Sequence, residues 1–132
     1  LTGGPGEGGV AQEIAAHMET PAASVAGLAS LGVLAGLIDM MDLLIGNDTG
    51  PVHLAEAVGT PTVRIFGPTD MARWAPLDEM RHVAVRHPGQ DGPCSHVNAP
   101  ETHQCWLWPD PEMVLEPAGA LLESSAVAGR VS

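Results

Sequence analysis

Apolar positions recur every four residues at Val10, Ile14 and Met18. That spacing places them on one face of a helix over residues 10 to 19, and Pro21 is a stop signal just beyond it. Ser24-Val25-Ala26-Gly27 predicts a very short strand. Leu31, Leu34, Ile38 and Met41 form a second helical stripe over 30 to 41, with Ser30 placed as its N-cap. The run Leu43-Leu44-Ile45 is bounded by Gly46-Asn47-Asp48, which suits a strand buried on both faces. Val52, Leu54, Ala55 and Val58 predict a short helix ending at Gly59. Thr62-Val63-Arg64-Ile65-Phe66 is rich in β-branched residues and halts at Gly67-Pro68, the pattern of a strand. Residues 67 to 81 read as irregular, and His82-Val83-Ala84-Val85 as a last short strand. Met113, Val114, Ala118, Leu121 and Leu122 mark a closing helix over 111 to 125.

Strands thus alternate with helices of about ten residues, which is the signature of an α/β chain with a parallel sheet covered on both faces. The stretch from Arg86 to Asp110 is long for a loop in a compact domain. At the other end, Leu1 leads at once into the glycine-rich run Thr2-Gly3-Gly4-Pro5-Gly6-Glu7-Gly8-Gly9. A strand that precedes such a turn is reduced here to one or two residues. The expectation is an N-terminally truncated piece of a larger fold.

Composition narrows the function classes. The 132 residues suffice for one domain or part of one. Apolar residues make up 45% and aromatic ones 3%, so Ala, Leu, Val, Ile and Met must fill the interior. Five basic residues, all Arg, face sixteen acidic ones, for a formal charge of −11. Such a surface repels phosphate backbones and anionic lipids, which argues against nucleic acid as a partner. It leaves room for a small anion bound by backbone N–H groups. No apolar run approaches the ~20 residues of a membrane span, and no signal segment is visible. The sequence reads as a soluble, cytoplasmic chain.

The strongest candidate site is Ile45-Gly46-Asn47-Asp48-Thr49-Gly50-Pro51-Val52-His53. A buried strand runs through a tight turn into a helix. Asp48 or Thr49 can cap that helix, and Pro51 suits its first turn. Gly50 lets a ligand approach the backbone. The free N–H groups and the helix dipole then face the strand ends, where open α/β sheets bind ligands, and a diphosphate is the natural guest. His53 lies within reach of the same place. The alternative for these residues is a well-capped helix with a surface histidine.

A second signal is Gly3-Gly4-Pro5-Gly6-Glu7, where the glycines make room and Glu7 can accept both hydroxyls of a ribose. An ordinary turn with a carboxylate before a helix reads the same way. A third is Phe66-Gly67-Pro68-Thr69-Asp70, followed by Arg73, Trp74 and Pro76, as one wall of a cleft or a structural turn with Trp74 as an anchor. In the long loop, Cys94 and His96 mirror His103 and Cys105. Two thiolates and two imidazoles can complete a zinc site, but a Cys–His spacing this tight is awkward, and two free cysteines is the default. No metal site is assigned. Neither a Gly-x-Ser-x-Gly elbow nor a Walker lysine is present.

Taken in order, these blocks resemble glycosyltransferase family 9, the ADP-heptose:lipopolysaccharide heptosyltransferases. Gly3, Gly4, Pro5 and Glu7 fit the first block. Asn47, Asp48, Thr49, Gly50, Pro51, His53, Leu54, Ala55, Ala57, Gly59 and Pro61 fit the central one. Phe66, Gly67, Pro68 and Thr69 fit the third, with Arg73, Trp74 and Pro76 behind them. Order and spacing hold over residues 3 to 76.

The resemblance implies a Rossmann-like parallel sheet with helices on both faces, forming the C-terminal half of a GT-B glycosyltransferase. Residues 1–132 would be part of the nucleotide-sugar-binding domain, and the acceptor domain, with its catalytic base, would lie elsewhere. By the same resemblance Glu7 holds the ribose, Asp48, Thr49, Gly50 and Pro51 sit at the diphosphate and sugar, and His53 lies nearby. The backbone around Gly27 and Leu28 faces the adenine. The implied partners are an ADP-sugar donor and a lipid-linked saccharide acceptor, the implied reaction transfers a heptose or related sugar with inversion, and no cofactor or metal is required. The implied location is the cytoplasm, at the inner face of the bacterial inner membrane, with peripheral membrane association of the parent protein. The chain departs from many relatives where Val97 stands at the second position of their Cys-x-x-Cys. Other readings are a stand-alone nucleotide-binding module, a degenerate remnant, or a GT-B-like epimerase.

Overall fold

The structure, a computed structural model, describes residues 1–90 and 107–128. It divides into two compact units, residues 1–36 and 37–132.

In the first unit the chain doubles back on itself. Val25 N–H donates to the Leu1 carbonyl and Gly27 N–H to the Gly3 carbonyl, both at 2.9 Å. These two bonds stand where a strand is expected at 24–27. Gly27 then takes a φ of 72° and turns the chain away before a ladder can extend. A Cβ at Gly27 would lie 3.1 Å from Pro5 Cα, so both the backbone angle and the close approach require glycine. Helix α1 (Gly8–His17) forms where its period predicts it, but it buries Ala11 and leaves Val10, Ile14 and Met18 exposed. Helix α2 (Leu31–Asp39) follows and carries the chain into the second unit, to which Ile38 belongs, with the Ser30 hydroxyl accepting from Val33 N–H at 3.4 Å as the predicted N-cap.

The second unit contains β1 (Leu44–Asn47), α3 (Gly50–Val58), β2 (Thr62–Phe66), α4 (Met71–Trp74), β3 (His82–Arg86) and α5 (Pro111–Ala128). The strands form a parallel sheet in the order β1-β2-β3. In register, Gly46 lies opposite Arg64, and Val63 opposite Val83. Alternation along β2 splits its side chains between two faces. Val63 packs with Val85 of β3 and with Ala118 and Leu121 of α5. On the other face, Gly46 lies close under α3: a Cβ there would meet Val52 at 3.3 Å, a tight contact. Helices therefore cover both faces, as expected of a Rossmann-like sheet.

Two expectations change. The strand predicted as buried on both faces, at Leu43–Ile45, is β1, which buries Leu44 and exposes Ile45. Within this sheet β1 has one neighbour, and it is central β2 whose residues are buried on both sides. The stretch read as irregular over 67–81 contains α4, whose first turn is capped by Asp70, with Oδ1 accepting from Ala72 N–H at 3.0 Å. A four-residue helix is too short to show periodicity. Thr60 ties the start of β2 to the end of α2, its buried hydroxyl donating to the Ile38 carbonyl at 2.7 Å. Among the described residues no helix is long and apolar enough to cross a membrane.

Candidate functional site

The end of β1 sets the geometry. Asp48 N–H donates to the Ile65 carbonyl at 3.0 Å, carrying the β1–β2 ladder one residue past the strand. Asp48 is thereby fixed at the carboxyl end of the sheet. Thr49 is the N-cap residue of α3, in extended backbone, and Gly50 and Pro51 open the helix. Neither predicted cap is formed. The Thr49 hydroxyl donates to the Asn47 carbonyl at 3.3 Å instead, and no side chain caps the first turn. Pro51 has no N–H and Val52 N–H turns back to the Thr49 carbonyl at 3.2 Å, so in the first turn the Gly50 and His53 N–H groups are left to a ligand or to water.

His53 follows within the first turn of α3, 38% exposed, and leans back over the strand end. Its Nε2 lies 3.3 Å from Asp48 Oδ1, and its Nδ1 lies 3.8 Å from Glu56 Oε2. The Asp48 side chain is only 5% exposed. The Trp74 ring meets His53 edge to face, with centroids 5.6 Å apart, and the Arg73 guanidinium stands 5.1 Å from the Trp74 ring centre. So β1, α3 and α4 converge on one imidazole.

Beneath this group lies Arg64, fully buried in the middle of β2. Its Nη2 donates to Glu56 Oε2 at 2.6 Å, its Nη1 donates to the Trp74 carbonyl, and Nη1 lies 3.7 Å from Asp48 Oδ1. Asp48 Oδ1 and Arg64 Nε are buried without a hydrogen bond. Further along the same face, Thr62 Oγ1 and His82 Nδ1 share a 3.1 Å hydrogen bond. Burial holds the His82 imidazole below its ordinary pKa, against the pull of Glu56 and Asp78, while Arg81 and Arg64 add to the lowering.

Of the residues singled out in the sequence, Asp48, Thr49, Gly50, Pro51 and His53 form one continuous turn-and-helix site in the second unit. Glu7 lies in the first unit, one carboxylate oxygen of which accepts from Gly4 N–H, closing the glycine turn on itself. Leu28 N–H donates to the Val25 carbonyl at 3.0 Å, within the turn that Gly27 makes. The third block also acquires a reason. Gly67 ends β2 against the Trp108 indole, which would stand 3.2 Å from a Cβ there. Cys94, His96, His103 and Cys105 lie outside the described residues. Sequence reasoning missed Arg64 and Glu56 as members of the site. The signal was available: a charge in the centre of a β-branched strand must find a buried partner.

A parallel sheet with helices on both faces, and a strand end that opens into an uncapped helix N-terminus, define an α/β chain of the Rossmann-like class. Residues 1–104 match the family model described as glycosyltransferase family 9 (heptosyltransferase), and the chain belongs to that family. It is 42% identical over 79 residues to lipopolysaccharide heptosyltransferase 3 of Escherichia coli, a match covering 58% of this chain and 23% of the relative. It is 36% identical over 89 residues to lipooligosaccharide heptosyltransferase 2 of Campylobacter jejuni, covering 67% of this chain and 28% of the relative. The crystal structure of a family 9 glycosyl transferase from Veillonella parvula superposes with a TM-score of 0.75 at 26% identity, over 93% of this chain and 36% of that one. The chain spans about a quarter of the length of these curated relatives.

Proposed function

We propose that this chain supplies the donor-nucleotide site of a glycosyltransferase that moves a heptose, or a related sugar, from an ADP-sugar to a lipopolysaccharide core acceptor. The observation that carries this reading is the start of α3, where Asp48, Thr49, Gly50, Pro51 and His53 surround uncapped N–H groups at the carboxyl end of a parallel strand. The leaving group of such a reaction is a nucleoside diphosphate. Its negative charge grows as the glycosidic bond breaks, and helix N–H donors that stand ready are the feature that stabilises it. Glu7, in the first unit, is assigned to the ribose hydroxyls on the resemblance of its glycine turn alone. The acceptor and the catalytic base are contributed from outside residues 1–132. In this assignment those residues form a donor-binding domain, and the parent protein works in the cytoplasm at the inner face of the inner membrane. The family and the heptosyltransferase names of its relatives support the reaction class.

Calorimetric titration of ADP, UDP and GDP into the chain tests the site, after circular dichroism shows it folded. Selective ADP binding that weakens in Glu7→Ala and Asp48→Ala is the expected result. A folded chain that binds none of the three overturns the assignment of the site to these residues. ADP binding by a parent protein that transfers no sugar would favour a nucleotide-binding module without transferase activity.

A further inference from the structure

Arg64 has no place in the donor site as the motif defines it, yet it touches every element that builds the site. It is a cation with no exposed surface, in the centre of a parallel sheet. Burial of that kind is unfavourable unless the charge is answered nearby. Two carboxylates answer it from different elements: Glu56 of α3 at 2.6 Å and Asp48 at the end of β1 at 3.7 Å. Its other polar contact is the Trp74 carbonyl on α4. The same three residues are the neighbours of His53: Asp48 at 3.3 Å, Glu56 at 3.8 Å and the Trp74 ring at 5.6 Å.

We infer that Arg64 is a positioning residue for the anion site at the start of α3: it holds Asp48, Glu56 and Trp74 around His53 and offsets the carboxylate charge that would otherwise repel a bound diphosphate. The inference rests on the donor-site reading above for the identity of the ligand. Without Arg64, the two carboxylates beside His53 would have no cation beneath them. An incoming anion would meet their field next to the nearly buried Asp48, where charge is less screened than in bulk water. With Arg64 in place, Glu56 is balanced by a direct ion pair and Asp48 by a second, longer one. The Arg64 guanidinium also reaches the β2–β3 connection through the Trp74 carbonyl, so the aromatic neighbour of His53 is fixed by the same side chain that sets its charge. A planar guanidinium carries five donors in a fixed fork, so its two Nη atoms serve different partners, where an ammonium has a single nitrogen.

The test combines two readouts on the full chain: the ADP dissociation constant by calorimetry, and the His53 ring and Trp74 indole resonances by NMR without ligand. In Arg64→Met both sets of resonances are expected to move, and ADP binding to weaken about tenfold. Arg64→Lys, which keeps the charge, is expected to restore part of the affinity. If Arg64→Met does not fold, Glu56→Gln decides. This isostere keeps an acceptor for Arg64 and removes one negative charge, so ADP should bind about threefold tighter. Unchanged resonances and affinity in a folded Arg64→Met, or weaker ADP binding in Glu56→Gln, overturn the inference. A chain that binds no ADP overturns the donor-site reading, and the resonances then decide the positioning role by themselves: it fails if Arg64→Met leaves both rings unmoved.

Discussion

Thr62 and His82 face each other in the β2–β3 register, and Thr62 Oγ1 lies 3.1 Å from His82 Nδ1. Both residues are buried. Desolvation favours the neutral imidazole there and lowers its pKa from the ordinary 6.5, more than Glu56 and Asp78 raise it. Unfolding exposes the ring and restores its usual proton affinity. Between the folded value and 6.5 the unfolded chain binds more protons, so stability rises with pH across that window. The contribution of His82 is complete above 6.5 and is lost as pH falls through the folded value. Melting temperatures measured between pH 7.5 and 5 should therefore fall with acid, and fall less steeply in His82→Gln. Equal slopes for the two proteins would show that His82 titrates alike in both states.

The junction of Gly67 and Trp108 makes a steric prediction. A methyl group at residue 67 would stand 3.2 Å from the indole, so Gly67→Ala should destabilise the chain by about 1–2 kcal/mol through overpacking. Urea unfolding would measure this. In a Trp108→Leu background the same substitution should cost much less, and a cycle of the four proteins separates contact with the ring from backbone effects.

Thr60 offers a hydrogen-bond counterpart. Its buried hydroxyl satisfies the Ile38 carbonyl at 2.7 Å. Thr60→Val keeps the shape and removes one donor, which leaves that carbonyl with Met41 N–H alone, at 2.9 Å. A loss of about 1 kcal/mol in chemical denaturation is expected. Thr60→Ser, which keeps the hydroxyl, should recover most of it.

Asp48 couples site and stability. It is one of two carboxylates that answer the buried Arg64. Asp48→Asn should cost about 2 kcal/mol, less than the rupture of an isolated buried pair because Glu56 remains. Guanidinium unfolding masks ion pairs with salt, so urea is the denaturant of choice. No loss in urea would mean that Glu56 alone balances Arg64.

Much of the fold was legible in the chain because its signals are local. Thr62–Phe66 is the strand that its β-branched residues predict, with identical bounds. Ser30 caps α2, and Pro51 opens α3, because caps and first turns depend on a few adjacent residues. The same holds for the site's centre. The turn at Asp48, Thr49 and Gly50 and the histidine three residues on are set by the chain itself, and the motif names the family that the comparisons bear out.

What only the tertiary structure decided involves partners far apart in sequence. Periodicity places Val10, Ile14 and Met18 on one helical face, yet within its unit α1 buries Ala11 and leaves that face exposed. An apolar face says that something should cover it, not what does. Leu43–Ile45 reads as a strand buried on both faces, yet β1 buries Leu44, leaves Ile45 exposed and has one neighbour in the sheet, because strand order is a long-range property. Above all, Arg64 looks in sequence like a polar interruption of a strand. Its meaning depends on Glu56, eight residues away on a helix, on Asp48 at the end of another strand, and on a carbonyl of the β2–β3 connection. No local pattern encodes that convergence. It arises only when parallel pairing stacks the strand ends side by side, so that a single buried charge must be answered from three elements at once.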